Sequence, residues 1–202
     1  MAIDATQVKQ LRQKTGAGIM DCKRALIECE GDFEKSVDFL RAKGLALAAR
    51  KADRMASEGT VGSYIHSGGK IGVLIEVNCE TDFVARTDEF QELVKDLAMQ
   101  IAAANPHHVE REDIGPEELA REREVYRQQA AELGKPAQVA DKIVEGKMER
   151  FYAETCLLEQ AFIKDTDRTV QGLIQDAVAR LGENIQVRRF VRFSVGEGTD
   201  HD

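Results

Sequence analysis

The sequence predicts an α+β fold. Three short amphipathic segments in the first 45 residues indicate helices, and two alternating apolar runs between residues 61 and 77 indicate a β-hairpin. A further alternating run near the C-terminus supplies a third strand. We therefore expect an N-terminal three-helix bundle, followed by a small antiparallel three-stranded sheet packed with helices and a protruding helical hairpin.

The N-terminal bundle is predicted over residues 1–45. Each of its helices carries one apolar stripe, and two breaks separate them, at Thr15-Gly16-Ala17-Gly18 and at Gly31-Asp32. A core of this size is marginal alone, so docking is its expected role. The stripes are Val8 and Leu11 in the first helix, Ile19, Cys22, Leu26 and Cys29 in the second, and Phe33, Val37 and Leu40 in the third.

A linker is predicted over residues 46–58, either helical or extended. It is rich in alanine and locally basic, with Arg50, Lys51 and Arg54 within five positions. A basic cluster raises the question of nucleic-acid binding. A solvated connector is the favoured interpretation, because no aromatic side chains interleave with the charges.

The core domain is predicted over residues 59–198, with a tail at 199–202. Alternating apolar residues predict strands around residues 61–65 and 71–77, joined by the turn His66–Lys70. The Gly-Gly-Lys in this turn lacks the first glycine and the following helix of a phosphate-binding loop, so a phosphate role is disfavoured.

Helices are predicted around residues 88–101, in a hairpin at 116–150 and at 169–181. Proline ends the first of them at Pro106. The seven-residue spacing of Leu119, Tyr126 and Leu133 predicts the hairpin seam, with Val139 and Ile143 as the stripe of the return helix. A final strand near 185–195 places Ile185, Val187, Val191, Phe193 and Val195 on one face, and the position of Phe190 on the other suggests a bulge or a two-sided strand.

Charge and composition exclude several functions. The 202 residues carry a net charge of −8, which argues against direct binding to nucleic acid or an anionic membrane. The charge is uneven: the first fifty residues have a net charge of +2 and the remainder −10. An acidic partner surface therefore still suits the N-terminal bundle.

The residue pattern predicts no active site. The four cysteines have no paired spacing and predict free thiols, and no histidine or cysteine pair has zinc spacing. We expect no catalytic residue, metal or cofactor. The N-terminus has no signal pattern and no apolar run is long enough to span a bilayer, so a cytoplasmic protein is expected.

The most informative segment is Thr81-Asp82-Phe83-Val84, which connects a strand to a helix. A bulky phenylalanine beside an aspartate is unusual in a connection of a chain with 5% aromatic residues. Two interpretations stay open. Phe83 packs under the following helix while Asp82 caps a turn, or the ring is an exposed anchor that enters a cleft in a partner.

Three long motifs resemble the elongation factor Ts family. They are Leu11–Leu26 (LRQKTGAGIMDCKRAL), Glu76–Ala85 (EVNCETDFVA), and Gly134-Lys135-Pro136 with Val144–Met148 (VEGKM). The likeness runs from about Ala5 to Gly198 in the right order. The length is similar to that of the shorter members, which have one core unit where longer members have two.

The resemblance implies a guanine-nucleotide exchange factor for elongation factor Tu. The N-terminal bundle would be a ubiquitin-associated-type domain, with Arg12, Ile19 and Met20 at positions that dock on the partner. The segment from Thr81 to Val84 would insert beside the nucleotide, and the ring of Phe83 would disturb the Mg²⁺ and phosphate sites so that GDP leaves. Ile19 stands where many relatives have methionine.

Two other classes of protein, an adaptor and an enzyme, are alternatives to an exchange factor. An adaptor would bind through the bundle without nucleotide exchange, and the length of the motif match argues against it. A small-molecule enzyme is disfavoured because no polar constellation is present. Short members of the family can also form homodimers through the sheet, which exposure of the strand with Phe190 and Phe193 would favour.

Overall fold

The computed structural model describes residues 4–134 and 136–197. Lys135 of the predicted hairpin turn and the predicted tail 199–202 lie outside the described residues. The helices in the described ranges are α1 (Ala5–Thr15), α2 (Ile19–Glu28), α3 (Phe33–Lys51), α4 (Asp82–Ala85), α5 (Asp88–Ala104), α6 (Pro116–Glu132), α7 (Ala137–Thr155) and α8 (Val170–Leu181). The strands are β1 (Glu58–Ile65), β2 (Ile71–Cys79), β3 (Ala161–Phe162), β4 (Asp165–Thr169) and β5 (Ile185–Ser194).

The predicted α+β class and the small antiparallel sheet are confirmed. The strand order is β1-β2-β5, so the hairpin of β1 and β2 is joined by the last strand of the chain. A second sheet pairs β3 with β4 and was missed by the sequence analysis. Since β3 has two residues and β4 is the polar run DTDRT, neither shows the apolar alternation that identifies a strand.

The chain divides into two compact units. One comprises Met1–Val61, Glu76–Val94 and Gly172–Gln186; the other comprises Gly62–Ile75, Lys95–Gln171 and Val187–Asp202. The sequence-based division at residues 45 and 58 stays a prediction. Helix α3 continues to Lys51, so the first part of the expected linker is helical.

Helices α1, α2 and α3 enclose a small apolar core. Asp32 caps α3 by accepting a hydrogen bond from the backbone N–H of Lys35 at 3.1 Å, as expected for a residue before a helix. Ile19 is exposed, so its predicted place in the core stripe is wrong: it lies in the first turn of α2. The buried residues of this core are Val8, Leu11, Cys22, Ala25, Leu26 and Leu40.

Helices α6 and α7 of the helical hairpin pack against each other around an apolar core. Two predicted seam positions are wrong, because Leu133 and Val139 lie near the α6–α7 connection and are exposed. The return helix also continues beyond residue 150, to Thr155. The buried residues are Ile114, Ala130, Val144, Met148, Phe151 and Cys156, with Leu119, Tyr126, Ala140, Ile143 and Tyr152 packed against them.

Burial along β5 changes face part-way along the strand. Ile185 and Val187 are buried, whereas Val191 and Phe193, at the same sequence parity, are exposed. The five apolar residues do not share one buried face, and the change of face agrees with the irregularity predicted at Phe190, a bulge or a two-sided strand. The change falls at two consecutive exposed arginines, Arg188 and Arg189, where the alternation of the strand is interrupted.

Candidate functional site

The candidate site begins where β2 ends. Val77 and Cys79 are buried on the same face of the strand, as the period of two requires. After Cys79 the chain turns through Glu80 and Thr81 into helix α4. We call residues 81–84 the TDFV turn.

Thr81 determines how the short helix starts. Its backbone is extended (φ −133°, ψ 154°), and its hydroxyl oxygen accepts a hydrogen bond from the backbone N–H of Val84 at 3.4 Å. Its carbonyl oxygen accepts from the N–H of Ala85 at 3.2 Å. This is the geometry of a threonine N-cap, and it forms one helical turn with the buried Ala85 as its inner residue.

Phe83 is 79% exposed on that turn. The interpretation in which its ring packs under α5 is therefore wrong, and Thr81 rather than Asp82 is the cap. An exposed aromatic side chain on a hydrogen-bonded turn has the properties of an anchor for a partner.

Asp82 supplies a negative charge beside the ring. Its carboxylate lies 2.6 Å from a guanidinium nitrogen of Arg86, one turn further along the chain. Both side chains are exposed to solvent, so this pair contributes only tenths of a kcal/mol, about 0.3 to 0.5, to stability.

Two residues in the α8–β5 connection complete the surroundings of the turn. Glu183 accepts hydrogen bonds from Thr81, and the backbone N–H of Asn184 donates to a carboxylate oxygen of Glu80 at 2.7 Å. Sequence analysis missed both, because they are about a hundred positions from the turn. No local pattern in a single sequence reveals such a pairing.

The other predicted site residues lie at the end of α1 and the start of α2. Arg12 is exposed, and Ile19 and Met20 are 55% and 65% exposed in the first turn of α2. Ile19 and Met20 are exposed apolar side chains and Arg12 is an exposed basic one, the residue types that suit a partner with apolar and acidic groups. We call these three residues the docking patch.

Reactive chemistry is limited in the described ranges. Burial raises the pKa of the thiols of Cys22, Cys79 and Cys156, so they stay protonated and unreactive near neutral pH. Within residues 4–134 and 136–197 no group of three or more His, Cys, Asp or Glu side chains is placed to hold a metal ion. Nor does any helix of those ranges combine the length and apolarity needed to cross a bilayer.

The comparisons with known proteins agree with the motifs. The model of the family described as Elongation factor TS matches residues 8–197. The chain is 59% identical to an Elongation factor Ts of Geobacter metallireducens over 198 residues, covering 98% of this chain and 92% of that one. It is 61% identical to one of Moorella thermoacetica over 196 residues, 97% of each chain, and 60% identical to one of Syntrophomonas wolfei over 200 residues, 99% and 94% of the two.

The fold, the TDFV turn and this agreement over nearly the whole length define a translation elongation factor. The chain belongs to the elongation factor Ts family. This membership implies elongation factor Tu as the partner.

Proposed function

We propose that this chain is a non-enzymatic guanine-nucleotide exchange factor that binds elongation factor Tu·GDP in the cytoplasm and promotes GDP release, which allows GTP to reload. The observation that carries the proposal is the exposed ring of Phe83 on a capped, hydrogen-bonded turn. Family membership supplies the partner. No catalytic residue or cofactor is required.

The TDFV turn acts by inserting beside the nucleotide. Tight nucleotide binding depends on Mg²⁺ that neutralises the phosphates and on ordered backbone donors around them. The ring of Phe83 occupies space between elements of the partner, and the charge of Asp82 lies beside it. A partner distorted in this way holds Mg²⁺ and phosphate less well, so GDP leaves.

Linkage sets the thermodynamics of the exchange. The factor binds the nucleotide-poor state of the partner more tightly than the nucleotide-bound state, and it therefore lowers nucleotide affinity. By the same coupling, bound GDP or GTP lowers the affinity of the factor. The docking patch of Arg12, Ile19 and Met20 contributes binding to both states and recruits the partner.

This division of labour gives a kinetic test. The release of fluorescent GDP from elongation factor Tu is followed by stopped flow at increasing factor concentration. For Phe83→Ala we expect the maximal rate of GDP release to fall at least about tenfold, with a nearly unchanged half-saturating concentration. The ring that distorts the partner is lost, whereas the docking patch still binds. Met20→Asp should show the reverse pattern.

Met55→Ala is the matched control. Met55 is an exposed methionine like Met20, and it belongs neither to the TDFV turn nor to the docking patch. We expect its rate and half-saturating concentration to equal those of the unmodified protein. GDP release by Phe83→Ala at the full rate contradicts the role proposed for the Phe83 ring. If the unmodified protein binds elongation factor Tu without accelerating GDP release, the protein is an adaptor.

We also propose that a second copy of the chain covers the exposed sheet surface, giving a homodimer and a 2:2 complex. In one unit Ile65, Leu74, Val191, Phe193 and Val195 are exposed apolar residues, most of them on strands. Leu74 points away from the buried face of β2, by the alternation of the strand. Such a surface is typical of protein–protein contacts.

Sedimentation velocity tests the homodimer. We expect a dimer for the unmodified protein and a monomer for Phe193→Glu, because a charge in an apolar contact is costly. Val139→Glu, an exposed apolar position on α7, is the control and should stay dimeric. A monomer at all concentrations for the unmodified protein overturns the proposal.

A further inference from the structure

We infer that Glu183 is a positioning residue for nucleotide exchange: its carboxylate holds Thr81 and thereby aims the TDFV turn at the partner. This inference rests on the proposed function. It adds a residue that lies near the other end of the chain and outside the TDFV motif.

Both carboxylate oxygens of Glu183 are used on one residue. The backbone N–H of Thr81 donates to Oε2 at 3.0 Å, and the Thr81 hydroxyl donates to Oε1 at 2.6 Å. The same hydroxyl oxygen accepts from the backbone N–H of Val84 at 3.4 Å. A continuous path of hydrogen bonds therefore runs from Glu183 through the cap to the residue after Phe83.

Glu183 is itself held on both sides along the chain. Before it, Gly182 follows α8 with a positive φ of 75°, and its N–H donates to the carbonyl oxygen of Val178 at 3.0 Å. The carbonyl oxygen of Gly182 accepts from the ammonium group of Lys51, a buried residue. A glycine takes this conformation without the strain that a side chain would add.

After Glu183, Asn184 is buried, with 4% of its surface exposed. Its side-chain amide donates to the carbonyl oxygens of Ala52 at 3.1 Å and Arg54 at 2.7 Å, just after α3. Its backbone N–H donates to Glu80 at 2.7 Å. The Glu183 carboxylate therefore projects from a fixed segment, which is what a positioning residue needs.

The turn needs such a support because it is too short to be stable alone. Helix α4 has four residues, far below the length at which an isolated helix forms in water. Phe83 is exposed and contributes little to holding α4, whose buried residue is the small side chain of Ala85. Polar contacts at the cap therefore add a restraint on where the ring points.

The bidentate contact requires a carboxylate. In Glu183→Gln only one side-chain oxygen accepts, so one of the two Thr81 contacts is lost or reversed. In Glu183→Ala both are lost. Because Thr81 and Glu183 are near the surface, water replaces the lost partners and the fold is retained.

The test combines exchange kinetics with amide hydrogen exchange on the full chain. Relative to the unmodified protein, we expect the maximal rate of GDP release to fall about five- to tenfold in Glu183→Ala and less in Glu183→Gln, because the ring is no longer held in the productive direction. The half-saturating concentration should change less than about twofold, since the docking patch is untouched.

Amide hydrogen exchange measures the local opening of the turn separately from the global stability of the protein. We expect the amides of residues 82–87 to exchange about tenfold faster in Glu183→Ala, with unchanged exchange in α1 and α2. Glu92→Ala removes an exposed carboxylate from α5 and is the matched control for the loss of charge. It should leave both readouts unchanged.

Including Phe83→Ala separates the possible failures. If Phe83→Ala is impaired while Glu183→Ala and Glu183→Gln release GDP at the full rate, the positioning role is overturned and the proposed function stands. If Phe83→Ala also releases GDP at the full rate, the proposed function fails. Unchanged amide exchange at 82–87 in Glu183→Ala overturns the contact itself, whatever the kinetics.

Discussion

Phe83 and Phe90 are seven residues apart, in the same unit, and their surroundings are opposite. Phe83 is 79% exposed on α4, whereas Phe90 is fully buried on α5. Burying a phenylalanine side chain stabilises a protein by roughly 1.5–3 kcal/mol. Helix α5 gains this stabilisation and α4 does not. Apolar burial therefore holds the ring of Phe90, whereas hydrogen bonds at the cap help to hold the turn that carries Phe83.

The largest effect is expected at the buried ring. Phe90→Ala removes a fully buried side chain and leaves a cavity, so we expect the free energy of unfolding to fall by about 3–5 kcal/mol. Urea unfolding followed by circular dichroism measures the change. A loss below about 1 kcal/mol contradicts a role for Phe90 in the core.

The next largest effect is expected at the buried amide of Asn184. Asn184→Ala removes the side-chain donor to the Arg54 carbonyl oxygen and one of the two side-chain donors to that of Ala52, and we expect the free energy of unfolding in urea to fall by about 2 kcal/mol. Gln186→Ala is the matched control, because Gln186 also donates to Ala52, at 3.1 Å, from an exposed position. We expect the control to lose less than about 0.5 kcal/mol. Equal losses in the two variants would mean that burial of the amide makes no difference.

The hydrogen bond from Asn184 to Glu80 also predicts that the free energy of unfolding depends on pH. The backbone N–H of Asn184, and to a smaller extent the charge of Arg54, lowers the pKa of Glu80. Because the pKa in the folded state lies below that in the unfolded state, the stabilisation is complete above the ordinary carboxyl pKa of about 4.3. It is lost as the pH falls through the lowered value.

Comparing the unmodified protein with Glu80→Gln isolates this contribution, because other carboxyl groups titrate in both. The free energies of unfolding are measured in urea between about pH 3 and pH 7. We expect the difference between the two proteins to be largest near neutral pH and to shrink in acid. Parallel profiles over the whole range would show that the Glu80 carboxylate is not stabilised by folding.

The same comparison shows what the sequence could predict. The spacing of residues 88–104 predicts α5 and the buried face to which Phe90 belongs, because a helical stripe is a local property. The TDFV turn was also found as an unusual connection. Its two interpretations differed only in the exposure of one ring, which depends on tertiary packing and not on local pattern.

Other features were beyond sequence reasoning for physical reasons. The contact between Thr81 and Glu183 joins residues 102 positions apart, and neither is exceptional in its own segment. Leu133 has the spacing of a seam residue, yet it lies at the end of α6 next to the connection, where it is exposed. Periodicity shows which residues share a face, but not how far along a helix the neighbouring helix covers it.

The smallest effect on stability is expected at the exposed ring. Since Phe83 is 79% exposed, its truncation creates no cavity, and Phe83→Ala should change the free energy of unfolding by no more than about 0.5 kcal/mol. The measurement is the same urea titration as for Phe90→Ala, on protein from the preparation used in the GDP-release assay. A loss similar to that of Phe90→Ala would mean that the ring is packed in solution, and reduced exchange would then reflect a damaged fold. A stable Phe83→Ala that releases GDP slowly leaves contact with the partner as the role of the ring.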